Sequence, residues 1–126
     1  MRLLDTDVLV DIVRGYGPAL QWLGRLADAP GLPGFCVMEV VAGCRNKREM
    51  NRVYRDLGVF RIHWPTDSDC SRALDDLVDS HLSHNLGLLD ALIGEIAVGL
   101  NATLCTFNQK HFEIIPGLPT EQPYRR

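Results

Sequence analysis

The order of the apolar residues constrains this chain most. Short apolar runs alternate with longer stretches of helical periodicity, the pattern of β-α-β units wound around a parallel sheet. Arg2-Leu3-Leu4 predicts a first strand, closed by the turn-and-cap residues Asp5-Thr6-Asp7. Val8, Leu9, Ile12 and Val13 follow at helical spacing and stop at Arg14-Gly15. Pro18 opens a second helix with Leu20, Leu23, Leu26 and Ala27 on its apolar side. A second strand is expected near Leu32 to Cys36, then a helix from Met38 to Cys44 and another from Lys47 to Leu57. Val59 to Ile62 predicts the third strand. Thr66 or Asp67 caps a long helix through Leu74, Leu77, Val78 and Leu82, and a further helix spans Gly87 to Gly99. Ala102 to Cys105 is the fourth strand, and the proline-rich tail from Ile115 is expected to be extended or loop. The expected fold class is α/β, a three-layer α/β/α domain with a central, mainly parallel sheet of four or five strands, one domain over residues 1–126.

Composition narrows the function classes. With 46% hydrophobic and 23% charged residues the chain is neither disordered nor fibrous. Thirteen basic against sixteen acidic residues, a net charge of −3, exclude a dedicated DNA-coating protein but leave room for a local basic patch. Cys36, Cys44, Cys70 and Cys105 form no C-x-x-C pair and no finger spacing, so they read as reduced thiols of a cytoplasmic protein. Asp5 arrives too soon for a signal sequence, and Asp90 and Glu95 interrupt the most apolar stretch, so no membrane span is expected.

In an open parallel sheet, ligands gather beyond the carboxyl ends of the strands. Asp5, Thr6 and Asp7 follow the first strand, Glu39 the second, and Thr106 and Asn108 the fourth. Asp90 lies in the first turn of an apolar helix, between Leu88-Leu89 and Leu92-Ile93, with the small residues Gly94 and Ala97 at i+4 and i+7. Taken singly, Asp90 or Glu39 is explained by the helix dipole, which favours an acid in the first turn. If Asp5, Glu39 and Asp90 converge, each pair at ~5 Å repels by about 3 kcal/mol at an effective dielectric near 20. Such a cluster demands protonation or a cation, and an oxygen-only donor set suits Mg²⁺ or Mn²⁺. A water held there is a nucleophile, and a phosphate ester is its natural electrophile.

These residues resemble the PIN-domain ribonucleases, and among them the VapC-type toxins of toxin–antitoxin pairs. The resemblance is carried by Leu3-Leu4-Asp5-Thr6-Asp7-Val8-Leu9, Val37-Met38-Glu39-Val40 with Gly43, Gly87-Leu88-Leu89-Asp90-Ala91-Leu92-Ile93, and the run from Ala102 to Phe112. It implies a catalytic set of Asp5, Glu39, Asp90 and Asn108, with the metal centred on Asp5 and Asp90. Thr6, Asp7 and Thr106 are implied as supporting residues. Asn108 stands where the family has a fourth acid, which leaves one metal or two open. Asp7, where the family often has Asn, is either an N-cap or an added charge. The implied reaction is Mg²⁺-dependent hydrolysis of RNA (tRNA, rRNA or mRNA), leaving a 5′-phosphate and a 3′-hydroxyl. The implied partners are a cognate antitoxin that inserts an Arg among the carboxylates, and a second copy of the chain in a homodimer.

RNA must approach an acidic cleft on an acidic protein, so cations are needed. Arg48, Arg52 and Arg55 fall at i, i+4, i+7 opposite Met50, Val53 and Leu57, with Arg45 and Lys47 nearby. The alternative for that stripe is a solvated face or an antitoxin-facing surface. His81 and His84 read as exposed helix residues, His111 as a loop residue near the site, and Trp22 and Trp64 as packing anchors. Two rival functions remain. One is a haloacid-dehalogenase-like phosphohydrolase using Asp5 and Asp7, which lacks a well-placed lysine. The other is a catalytically degenerate PIN module that only binds, against which the intact Asp5, Glu39 and Asp90 argue.

Overall fold

Five short strands run parallel in the computed structural model, which describes all 126 residues: β1 (Arg2–Leu4), β2 (Leu32–Pro33), β3 (Ile62–His63), β4 (Thr103–Cys105) and β5 (Thr120–Glu121). Leu3 stands opposite Leu104 in the β1–β4 ladder, and Leu104 opposite Thr120 in the next. Gly31 joins β1 to the β2–β3 pair, donating to Arg2 O at 2.9 Å and accepting from Leu4 N at 3.2 Å. Only a glycine lets the backbone come this close, since a Cβ there would stand 2.8 Å from the His63 ring and 3.0 Å from Leu3. The strand order is therefore β3-β2-β1-β4-β5.

Seven helices connect the strands: α1 (Thr6–Val13), α2 (Gly17–Arg25), α3 (Gly34–Ala42), α4 (Lys47–Leu57), α5 (Asp67–His84), α6 (Leu88–Gly99) and α7 (Gln109–Phe112). The chain steps from β1 to β2 to β3 in one direction, then crosses back to β4 and on to β5. Right-handed crossovers place α1 to α4 on one face of the sheet and α5 to α7 on the other. Helix α1 accordingly packs on α2 and α3, and α5 packs on α6. The three-layer α/β/α fold with a parallel sheet is the one the apolar order predicts, and it has five strands. Leu3, Leu4, Leu104 and Cys105 fill its middle, between Val8 and Leu9 of α1, Val37 and Val40 of α3, and Ile93 and Ile96 of α6.

Several boundaries depart from the sequence reading. Strand β2 ends at Pro33, which has no N–H for a ladder, and α3 begins at once with Gly34. Phe35 and Cys36 are therefore helical, and Glu39 lies in mid-helix rather than at its opening. A Cβ at Gly34 would run into the Trp64 ring. Trp64 meets Phe35 edge-on but is 56% exposed, so it covers the surface and is not the core anchor the sequence reading expects. Strand β3 is displaced to Ile62–His63, with Val59 out in solvent. The tail supplies β5, held by Leu104 N to Pro119 O and Thr106 N to Glu121 O, both at 3.0 Å.

Helix faces differ too. On α2 Ala19 is buried and Leu20 exposed. On α5 Leu74, Val78 and Leu82 point outward at 61, 77 and 97% exposure, while Ala73 and Ser80 face inward. The inner side of α5 holds a polar clamp instead. Arg72 Nε donates to Glu95 Oε1 at 2.9 Å and Arg72 Nη2 to Asp69 Oδ1 at 2.6 Å. Asp69 also closes a capping box with Thr66. Around Asp90 the expected apolar enclosure is absent, because Leu88 and Leu89 are exposed; Gly94 and Ala97 are core, with Ile115 packed against Gly94.

The Glu95 side chain is only 3% exposed, so Arg72 supplies its countercharge. Asp76 faces the same charge, and burial first and then Glu95 push its carboxyl up to about 7. Arg72→Ala should therefore cost roughly 3 kcal/mol in urea unfolding, because it strands a buried charge. Arg45→Ala breaks an exposed pair with Glu49 and should cost at most about 1 kcal/mol. Equal losses in the two variants would contradict the clamp.

Candidate acidic centre

Strand β1 delivers Asp5 to the point where the winding of the sheet reverses, between β1 and β4. This is the crevice that open α/β sheets use for ligands. The Asp5 N–H extends the ladder by bonding Cys105 O at 3.0 Å, and its side chain caps α1. Oδ1 accepts from the Thr6 N–H at 2.8 Å, and Oδ2 from the Thr106 hydroxyl at 2.7 Å. The Cys36 thiol lies 3.8 Å from Oδ1, and burial raises its pKa well above the ordinary range. Asp5 is 8% exposed. Burial first, then the charge of Asp7 and more weakly that of Asp90, push its carboxyl up to about 6 against the pull of its two donors.

Asp7 sits one residue into α1. Its Oδ2 accepts from the Phe107 N–H at 3.0 Å, while Oδ1 is buried without a partner. Burial raises its pKa as well. Thr106 is fully buried and links the strand ends: it donates to Asp5 and accepts from the Asn108 N–H at 3.0 Å. Glu39, exposed on α3 one turn beyond Cys36, accepts from the Thr6 hydroxyl at 3.2 Å. Asp90, on the first turn of α6, meets His111 Nε2 at 2.7 Å through Oδ2. Asn108 is exposed and lines an open recess with His84, Lys110 and His111.

The structure thus gathers Asp5, Thr6, Asp7 and Thr106 tightly, with Glu39 tied in through Thr6 and Asp90 near enough to act on Asp5. No three acidic side chains close on one point as direct ligands. Glu39 is turned to Thr6 and Asp90 to His111. The donor set still fits a Mg²⁺-like cation, which takes one or two carboxylates and keeps its waters. The orphaned Asp7 Oδ1 and the raised Asp5 pKa both mark negative charge that the protein leaves unbalanced.

The arginine stripe lies apart from this centre. Arg48, Arg52 and Arg55 share one recess on α4, with Val53 and Leu57 buried behind them. Arg52 also borders a groove that runs to Thr6 and Glu39 between Val10, Val13, Val40 and Val53. Arg14 stands in the same groove, a residue read from sequence only as a helix end. The tail adds a second residue that sequence reasoning missed. Arg126 covers the Phe107 ring at 4.2 Å, bonds Asp11 and donates to Asp7 O at 3.3 Å. No local pattern announces a contact across 119 positions.

A family model for the PIN domain matches residues 2–118. The chain is 34% identical over 121 residues to Ribonuclease VapC10 of Mycobacterium tuberculosis, covering 94% of this chain and 90% of that protein. The chain therefore belongs to the PIN-domain family, in its VapC-type branch. Among solved structures, a toxin–antitoxin complex from Klebsiella pneumoniae superposes with a TM-score of 0.81 at 27% identity over the full length of both chains. VapBC2 from Rickettsia felis, bound to a DNA fragment from its promoter, has the same fold, with a TM-score of 0.77 at 23% identity over 95% of this chain and 96% of that one.

The raised Asp5 pKa has a testable sign. The folded chain keeps this proton up to about pH 6, whereas the unfolded chain releases it near 3.8. The Asp5 contribution to stability is therefore most favourable below pH 4 and is lost as pH rises through 6. In chelator at pH 8, Asp5→Asn should raise stability by about 1–3 kcal/mol and flatten this part of the pH profile. Lower stability of Asp5→Asn with an unchanged profile would contradict it.

Proposed function

We propose that this protein is a divalent-metal-dependent endoribonuclease toxin, held in check by a cognate antitoxin in the cytoplasm, with residues 1–126 acting as one PIN unit. The observation that carries the reading is a buried, incompletely balanced Asp5 at the sheet's switch point in a chain of the VapC-type branch. The ribonuclease name of the Mycobacterium relative and the toxin–antitoxin title of the Klebsiella structure support it. No helix is long and apolar enough to cross a membrane. The phosphohydrolase alternative has no support from the family, and Lys110 lies in the recess beyond Asn108 rather than beside Asp5.

Asp5 and Asp90 would hold the cation, Mg²⁺ or Mn²⁺. When bound, such an ion lowers the pKa of water and offsets charge on a phosphate. The other groups act around it. Thr106 and the Thr6 N–H fix both Asp5 oxygens, so the carboxylate would meet the cation without reorganising. Asp7 is braced by the Phe107 N–H. Glu39, exposed beside Thr6, takes a proton from the attacking water, and Asn108 offers an uncharged hydrogen-bonding group from the β4 side. In-line attack on phosphorus then breaks its bond to the 3′-oxygen, which takes a proton from solvent and departs as the 3′-hydroxyl, leaving a 5′-phosphate on the other product. Arg48, Arg52 and Arg55 hold the RNA backbone away from the chemistry. The exposed apolar line of Leu74, Val78 and Leu82, with Leu88 beside it, supports a homodimer through α5, since solvated apolar stripes of this kind mark protein contacts.

The direct experiment is cleavage of a defined RNA with Mg²⁺, with excess EDTA, and by Asp5→Asn. Cleavage should require the metal and fall by at least about a hundredfold in the variant. Undiminished cleavage in EDTA or by Asp5→Asn would refute the proposal.

A second prediction separates positioning from chemistry. Changing Arg48, Arg52 and Arg55 together to Gln should flatten the salt dependence of RNA binding by roughly 0.7 log units per lost contact. Single-turnover cleavage at saturating RNA should change much less. An unaltered slope with an intact fold would assign the stripe to solvent or to a protein partner.

A further inference from the structure

Asp90 is the less buried of the two proposed cation ligands, and two features fix its carboxylate. His111 Nε2 lies 2.7 Å from Oδ2. Gly87, the residue that opens α6, leaves room for the same oxygen: a Cβ there would stand 3.2 Å from Oδ2. The backbone at Gly87 has φ −86°, open to any residue, so the missing side chain is a matter of space. His111 is itself anchored. Its ring meets Phe112 edge-on at 5.9 Å, Phe112 is core, and the His111 N–H bonds Asn108 O at 3.0 Å. The segment from Thr106 to His111 therefore grips both acids, Asp5 through the Thr106 hydroxyl and Asp90 through the His111 ring.

We propose that His111 is a positioning residue for Asp90, holding Oδ2 by its Nε2–H, against the space left by Gly87, so that Oδ1 is presented to the cation. This rests on the metal-dependent reading of the acidic centre. A salt bridge that merely tied α7 to α6 would alter stability and leave cation affinity unmoved. Partners that orient a ligating carboxylate in this way typically change metal affinity or activity by about 10- to 100-fold when removed.

The test is calorimetric titration of Mn²⁺ into the full chain at one fixed pH, for the wild type, His111→Ala, His111→Gln and Gly87→Ala. Gln is chosen because its amide N–H can take the place of Nε2–H without ring or charge. His111→Ala should weaken Mn²⁺ binding by about tenfold, His111→Gln should restore most of that loss, and Gly87→Ala should weaken binding by crowding Oδ2. In RNA cleavage, kcat should fall in His111→Ala with KM little changed. Wild-type affinity in His111→Ala, or no recovery in His111→Gln, overturns the proposal. Should His111→Ala fail to fold, Gly87→Ala decides, and wild-type affinity there overturns it. Mn²⁺ affinities in the expected order without RNA cleavage would refute the nuclease reading and leave His111 in its role. A wild-type protein that cleaves RNA while all variants bind Mn²⁺ equally would do the reverse. A wild type that binds no Mn²⁺ overturns both.

Discussion

Much of this molecule depends on one buried carboxylate and the hydroxyl that reaches it. Asp5 and Thr106 end neighbouring parallel strands, and their 2.7 Å hydrogen bond ties the β1 and β4 ends together where the fold changes direction. Hydrogen bonds to a charged group contribute about 1.5–3 kcal/mol each, and Asp5 accepts two short ones, from Thr106 and the Thr6 N–H, besides the long one from the Cys36 thiol. Taking a carboxylate out of water costs several kcal/mol, and Asp7 and Asp90 add repulsion. The costs win, since the Asp5 carboxyl stays raised to about 6. Both Asp5 oxygens are held by donors, while the charge of Asp5 and of the unpartnered Asp7 Oδ1 is left uncompensated.

The proposed chemistry requires an acidic protein to receive a polyanion, so the placement of its arginines matters. No guanidinium group bonds the carboxylate of Asp5, Asp7, Glu39 or Asp90. Arg52 and Arg14 line the same groove as Thr6 and Glu39, and Arg48 and Arg55 share the α4 recess with Arg52. An arginine packed directly on Asp5 would offset its charge and close the site. Arg126 is engaged with Asp11, the Phe107 ring and the Asp7 backbone oxygen.

Most of this was legible in the sequence wherever a residue's role is set by its neighbours. Helices α1, α4 and α6 and strands β1 and β4 follow from periodicity, and Asp5, Thr6 and Thr106 follow from being strand ends. Long-range geometry was not legible. Thr120-Glu121 becomes a strand only because β4 offers it an edge, and Pro33 shortens β2 and moves Glu39 into mid-helix. On α5 the apolar count points the wrong way, because Arg72 and its two acids take the inner face from Leu74 and Val78. The pairing of His111 with Asp90 and the return of Arg126 to Asp7 join distant parts of the chain and leave no local trace.

The central claim is that a cation sits at Asp5 and Asp90, and anomalous scattering tests it most directly. Crystals soaked in Mn²⁺ should show one strong anomalous peak within coordination distance of an Asp5 oxygen, about 2.0–2.3 Å, with Asp90 bound directly or through one water. The peak should vanish in Asp5→Asn. Saturating Mn²⁺ with no peak at Asp5, or a peak that persists there in Asp5→Asn, would contradict the account.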